Sequence, residues 1–335
     1  MIAFGLLALV AVSGVISASV PFHFLSDEYI DHINSLQTTW KAGRNFPKDM
    51  PLSNIKRRMG VIRGEKSKNL KTVRHVRVEG ETIPDTFDAR ENWPDCKSIG
   101  LIRDQSDCGS CWAVAAAAAM SDRICILSKG KDQSLVSDED LNSCCKSCGD
   151  CDGGIPYAAW EYWQQTGIVT GGPYNSTTGC KAYSLAPCEH DGTPGGLPQC
   201  PPKGYATPEC VRSCDKGSTL SYEKSKTYGA EAYYIEGFIQ TLQLDIMRNG
   251  PVEASFNVFS DFATYKSGVY QQTSYDFLGV HAIKLIGWGE ENNVPYWLVA
   301  NSWNEDWGDK GTFKIRRGTN ECGIEEEPIA GLPLL

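Results

Sequence analysis

An α+β fold in two lobes, one helical and one rich in strands with a cleft between them, is predicted by three features of the sequence. Residues 112–126 include Ala-Val-Ala-Ala-Ala-Ala-Ala-Met and no proline, which predicts a helix because alanine has the highest helix propensity. From about residue 230 the pattern changes to β-branched and aromatic residues set between glycines. Examples are Gly250-Pro-Val-Glu-Ala-Ser-Phe, Val280-His-Ala-Ile-Lys-Leu-Ile-Gly and Pro295-Tyr-Trp-Leu-Val-Ala. Between these halves, residues 180–214 hold five cysteines among many prolines and glycines, as expected of stapled loops. The helical, disulfide-rich lobe is therefore placed at 83–230 and the β lobe at 231–335.

The chain before residue 83 has a different character. Residues 2–18 form an apolar run ending in small residues near Ser17-Ala18-Ser19. The run is short for a membrane span, so residues 1–18 read as a cleaved signal peptide, although the usual positive start is missing. No other stretch is apolar enough to cross a bilayer. All 14 cysteines lie between Cys96 and Cys322, which fits export into an oxidising compartment. Residues 26–42 read as an amphipathic helix, with Ser26 as its cap and Tyr29, Ile33, Leu36 and Trp40 on one face. Gly43 stops it, and residues 61–82 read as an extended polar linker.

Charge separates leader from body. Residues 19–82 hold 12 Lys/Arg and 7 Asp/Glu, a net of +5, whereas residues 83–335 hold 20 and 34, a net of −14. A basic segment on an acidic body is an electrostatic complement that protonating carboxylates would weaken. Nothing in this balance suggests a nucleic-acid partner.

The chemistry centres on Gln105-Ser-Asp-Cys108-Gly-Ser-Cys111-Trp112. Gly109 and Ser110 read as the turn that feeds the alanine-rich helix, so Cys111 stands at its N-terminus. There the unpaired N–H groups and the helix dipole favour an anion and lower a thiol pKa. The same donors can hold a developing oxyanion, and the Gln105 amide can join them. Only two histidines, His190 and His281, lie in residues 83–335. His281 is the candidate base, and Asn301 would fix its tautomer without adding charge. Trp303 and Trp307 would shield that hydrogen bond. Two alternatives remain open on the residues alone. Cys108 and Cys111 could form a CxxC redox pair, or join Cys145-Lys-Ser-Cys148 in a zinc site.

Cys108-Gly-Ser-Cys111-Trp112, with Gly279-Val-His281-Ala and Asn301-Ser-Trp303, resembles the signature of the papain/cathepsin cysteine proteases. His281 and Asn301 follow Cys111 by 170 and 190 residues, more than the roughly 130–150 usual for that signature. The cysteine-rich insertion accounts for the excess and points to the cathepsin B-like members. The resemblance implies a papain-like fold and a thiolate–imidazolium protease acting on proteins and peptides without metal or cofactor. It implies a monomer made as a zymogen, with residues 19–82 as an inhibitory propeptide that includes Trp40-Lys-Ala-Gly-Arg-Asn-Phe46 and Ile55-Lys-Arg-Arg-Met-Gly60. The mature enzyme would be 83–335, in a lysosome or secreted, with Asn175-Ser-Thr177 as a glycosylation acceptor.

The resemblance also implies the disulfides Cys96–Cys125, Cys108–Cys151, Cys144–Cys210, Cys145–Cys148, Cys180–Cys214 and Cys188–Cys200, with Cys322 reduced and buried. It places Gly153 and Gly154 where a substrate backbone aligns like an added strand, and Glu327 at the base of a pocket that accepts Arg as well as apolar side chains. Residues 188–200 resemble the loop that blocks one end of the cathepsin B cleft, anchored through Asp104. There His190 is followed by Asp191 instead of a second histidine. An anion at that place repels a substrate's C-terminal carboxylate, which favours endopeptidase over peptidyl-dipeptidase action. Val280 before His281 implies a narrower cleft rim. A non-catalytic binding protein on the same fold is disfavoured by the retention of Cys111, His281 and Asn301.

Overall fold

A computed structural model describes residues 23–36, 38–188 and 196–335. The apolar run before Ser19, His190 and Asp191 lie outside the described residues. The alanine-rich helix spans Cys111–Leu127 and is buried on all sides as far as Ile126. A helix apolar all round belongs in an interior. Its small side chains let neighbours approach closely: the helices Asp138–Cys144 and Pro156–Gln165 and the strands Phe277–Glu291 and Ile329–Pro333 all pack on it. Two charged residues near its end bind it to the β half. Asp122 pairs with Lys284 at 2.7 Å. Fully buried Arg123 pairs with Asp245 and donates to the Gly250, Pro251 and Gly331 carbonyls.

The β half is a sheet of ten strands among the described residues. Its spatial order is Trp40–Ala42, Tyr265–Tyr270, Thr312–Arg316, Val294–Ala300, Phe277–Glu291, Val252–Phe259, Ile329–Pro333, Gly229–Ile235 and Lys71–Val73, with Phe87–Asp88 pairing off that path onto Phe277–Glu291. Both outermost strands come from the leader, so it covers the two sheet edges that would otherwise stand open. Phe87–Asp88 carries the start of the helical half into the β lobe, so the sequence division at residue 230 is not clean in space. The fold is α+β in two lobes, as expected.

The leader corrects two expectations. The helix spans Asp27–Ser35, capped by Ser26, whose hydroxyl accepts from the Tyr29 amide. It does not run on to residue 42. Trp40–Ala42 is a strand antiparallel to Tyr265–Tyr270, Leu36 is exposed, and Trp40 is buried from the strand. Thr39 decides this, since its hydroxyl donates to Val269 and the Val269 amide donates back to its carbonyl. Nor is 61–82 only a linker. Lys71–Val73 runs parallel to Gly229–Ile235, and His75 Nε2 lies 2.6 Å from buried Asp245.

All six disulfides pair as the resemblance implies. Cys108 is bonded to Cys151 and Cys145 to Cys148, so neither CxxC is a free dithiol. Cys111 and Cys322 are free. Cys322 is only partly buried, because it sits at a left-handed turn (φ 52°) near the surface. No helix among the described residues is long and apolar enough to cross a membrane.

Candidate active site

The central helix presents Cys111 at its first turn. Ser110 precedes it as the cap residue but does not cap with its side chain, because its hydroxyl is engaged with Tyr183 at 2.7 Å. The Trp112 amide is thus left to hydrogen-bond the sulfur. His281 stands on the long strand Phe277–Glu291, and the next residue, Ala282, packs against Cys111 and hydrogen-bonds its sulfur through the backbone. His281 Nε2 lies 2.8 Å from Asn301 Oδ1, which also accepts from the Ser302 amide at 2.8 Å. Nε2 is therefore the donor, and Nδ1 is the nitrogen left to take a proton. Trp303 lies against the imidazole with ring centres 4.8 Å apart, and Trp307 packs edge-on to Trp303.

Gln105 reaches the same place from the loop before the helix. Its Nε2 donates to the Cys108 carbonyl at 2.7 Å and to the Arg58 carbonyl at 3.0 Å, while Oε1 accepts from Ser302 at 2.7 Å. That last bond fixes which way the amide points. Sequence reasoning missed Ser302; its only signal is its place between Asn301 and Trp303.

Leader residues 58–62 fill the space between these groups. The Gly60 amide donates to Cys111 Sγ at 3.2 Å. Gly154 donates to the Gly60 carbonyl and accepts from Ile62, each at 2.8 Å, and the Val61 amide donates to Val280 at 3.0 Å. Gly154 thus binds an extended backbone, in parallel register, while Gly153 pairs with Asp150 and makes no backbone bond to the leader. A side chain at Gly154 would strike the Trp112 ring, with a Cβ 2.4 Å from its nearest atom. Glu327 is half-exposed and lines a pocket beside leader residues 61–66, with Lys66 Nζ 3.7 Å from Oε1. His190 lies outside the described residues. Asp104, its expected partner, accepts from the Ser106 amide at 2.7 Å.

Electrostatics correct one expectation. The thiol of Cys111 is not lowered in this state. Burial pushes it up to about 12, against the backbone hydrogen bonds from Ala282, Gly60 and Trp112. Burial likewise pushes His281 down to about 4, against its bonds to Asn301 and the Arg58 backbone. The helix N-terminus does favour the thiolate, but the leader excludes the water that would stabilise the charges, and desolvation is the larger effect. With the leader in place the pair is a neutral thiol and a neutral imidazole.

Residues 83–332 match the family described as Papain family cysteine protease, and residues 25–65 match the Peptidase family C1 propeptide. The chain belongs to the papain family of cysteine proteases. Among its relatives, Cathepsin B-like cysteine proteinase 4 of Caenorhabditis elegans is 48% identical over 337 residues, 98% of each chain. A cathepsin B-like cysteine proteinase of Schistosoma japonicum is 49% identical over 313 residues, covering 92% of this chain and 91% of the relative. The solved structure of procathepsin B S9 from Trypanosoma congolense superimposes with a TM-score of 0.78 at 36% identity, over 93% of this chain and 99% of that one. Within the family the chain is thus a cathepsin B-like cysteine peptidase carrying its propeptide, a zymogen.

Proposed function

We propose that Cys111, His281, Asn301 and Gln105 hydrolyse peptide bonds by a thiolate–imidazolium mechanism once residues 19–82 have left the cleft, the mature enzyme being 83–335. The observation that carries this reading is the Gln105 amide donating at 3.0 Å to a peptide carbonyl, that of Arg58, beside a sulfur that accepts from Gly60. A substrate carbonyl in the place of the Arg58 carbonyl would meet Gln105 Nε2 and the Cys111 amide as its charge develops. The Cys111 thiolate attacks that carbon. His281 gives its proton to the leaving amine, then takes one from water to release the acyl-enzyme. Asn301 keeps Nε2–H engaged so that Nδ1 does the proton transfer.

Glu327 sets a preference for basic side chains on the acyl side of the scissile bond. Asp191 shifts the balance towards endopeptidase action on proteins and peptides. The apolar run at 1–18 sends the chain into the secretory pathway, towards a lysosome or the extracellular space.

The pKa of His281 makes removal of the leader acid-dependent. With the leader bound it is about 4; exposed to water the ordinary value is about 6.5. A group depressed in the closed state contributes stability above its ordinary value and loses it as pH falls through the closed-state value. Uncovered, however, the thiolate–imidazolium pair carries the same single proton as the covered neutral pair, so the leader's hold weakens only below about pH 5, where the open site takes up a second proton and covered His281 does not until about 4. The purified zymogen should stay inactive near neutral pH and process itself when acidified through this window. Equal activity of the precursor at pH 7 and pH 4.5, followed with a fluorogenic peptide, would contradict the reading.

A further inference from the structure

The leader crosses the nucleophile with its Arg58 carbonyl on Gln105 and its Gly60 amide on Cys111. Residues after this crossing run past Gly154 to the Glu327 pocket, so those before it lie over the opposite side, from which a leaving group departs. There the leader forms the short helix Leu52–Arg57. Arg57 Nη1 donates to Asp107 Oδ2 at 2.6 Å, and Asn54 Nδ2 donates to the same oxygen at 3.3 Å. Asp107 is fully buried, whereas the Arg57 side chain keeps 20% of its surface in water. A Cβ at Gly204 would lie 2.4 Å from Arg57 Cδ, so the stem of the arginine rests directly on that glycine. The Tyr205 amide donates to the Asp107 carbonyl at 3.0 Å, which ties the glycine wall to the acid. Arg58 is a second cation here and is fully buried. Burial lowers its guanidinium, and Asp107 and Asp104 are the charges that oppose that shift.

A carboxylate withdrawn from water is costly unless donors meet it. In the zymogen the leader brings a guanidinium and an amide to Asp107, a residue that the chemistry at Cys111 does not use. When the leader departs, Oδ2 loses both of these donors, and the place of the Arg57 side chain between Asp107 and Gly204 opens to the cleft. A planar, always charged guanidinium on a long apolar stem suits such a place. Arg57 is next in sequence to the residue whose carbonyl sits on Gln105. At about 3.5 Å per residue, a substrate side chain that replaces it belongs within about three residues of the cut.

We propose that Asp107, with Gly204 as its wall, is a subsite on the leaving-group side of the cleft for an Arg or Lys side chain from the first three residues after the cleaved bond. Arg57 holds that place in the zymogen. The substrate class is a protein or peptide that is basic just after the cut. This rests on the reading that the Arg58 carbonyl marks the scissile carbonyl and that Glu327 lies on the acyl side.

The test uses mature enzyme obtained by acid processing of the full chain and internally quenched peptides with Phe-Arg before the cleaved bond. After it they carry either alanine throughout or one arginine at the first, second or third position, and mass spectrometry of the products fixes the bond that is cut. Wild-type enzyme should cleave one of the arginine peptides with a kcat/KM about threefold to thirtyfold above that of the alanine peptide. Asp107→Asn and Asp107→Ser should each abolish that preference. Each ratio is taken within one enzyme preparation, so it does not depend on how much of a variant folds. No arginine preference in the wild type, or one that survives in either variant, overturns the proposal. Glu327→Ala, assayed with Arg-Arg against Phe-Arg before the bond, reports on the orientation by itself. If it shifts that ratio while the Asp107 variants change nothing, the orientation stands and the subsite falls. If the Asp107 variants change only the preference before the bond, orientation and subsite fall together.

Discussion

Replacing Cys111 by serine is expected to lower kcat/KM on a dipeptidyl-arginine substrate by about 10⁴-fold or more, the scale seen when a nucleophile that acts as one unit with its base is removed. The chain should still fold. Cys111 takes part in none of the six disulfides, and the sulfur is held in the zymogen as a neutral, buried thiol, so the hydroxyl replaces one small uncharged group by another. The variant cannot process itself and needs wild-type enzyme to remove its leader. Its denatured form should titrate one thiol, that of Cys322, where the wild type titrates two. Activity within tenfold of wild type would show that another residue is the nucleophile.

Gly60→Val is expected to cost the zymogen its latency. A Cβ at Gly60 would lie 1.8 Å from the Gly109 carbonyl oxygen and 2.3 Å from its carbon, both backbone atoms of the residue two before Cys111. Neither can give way without moving the turn that feeds the central helix. The leader must lift instead, losing the Gly60 bonds to Cys111 and Gly154. Overpacking of this kind costs about 1–3 kcal/mol, so processing at neutral pH should quicken by about tenfold to a hundredfold. Gly64→Val is the control, since nothing lies within 4 Å of a Cβ there. Equal processing half-times for the two variants on a gel would sink this account of latency.

Much of this site is legible in the sequence because its parts are local. The alanine run gives a buried helix of the right extent, and the residues before it place Cys111 at its first turn. His281 and Asn301 sit within short motifs that remain readable although the inserted loops lengthen their distance from Cys111. What was not legible depends on contacts between distant segments. Trp40 falls at helical spacing from Ile33 and Leu36, yet pairing with Tyr265–Tyr270 claims it for a strand. The ionisation of Cys111 and His281 is set by leader residues about fifty and more than two hundred positions away. The neighbours Tyr233 and Tyr234 look alike in sequence. Alternation along a strand sends one to Arg123 in the interior and the other to the pocket beside Lys66. Which tyrosine does which cannot be read until the strand's partners are known.

Covering and uncovering of a thiol–imidazole pair is the physical core of this account, and alkylation of Cys111 across pH tests it most directly. In the mature enzyme iodoacetamide should label Cys111 rapidly over a plateau bounded by two ionisations, one below pH 5 for formation of the ion pair and one above pH 8 for its loss. In the zymogen at neutral pH labelling should be at least a hundredfold slower, since the covered thiol ionises only near pH 12. A single rise near pH 9 in the mature enzyme, or equal rates in the two forms, would contradict it.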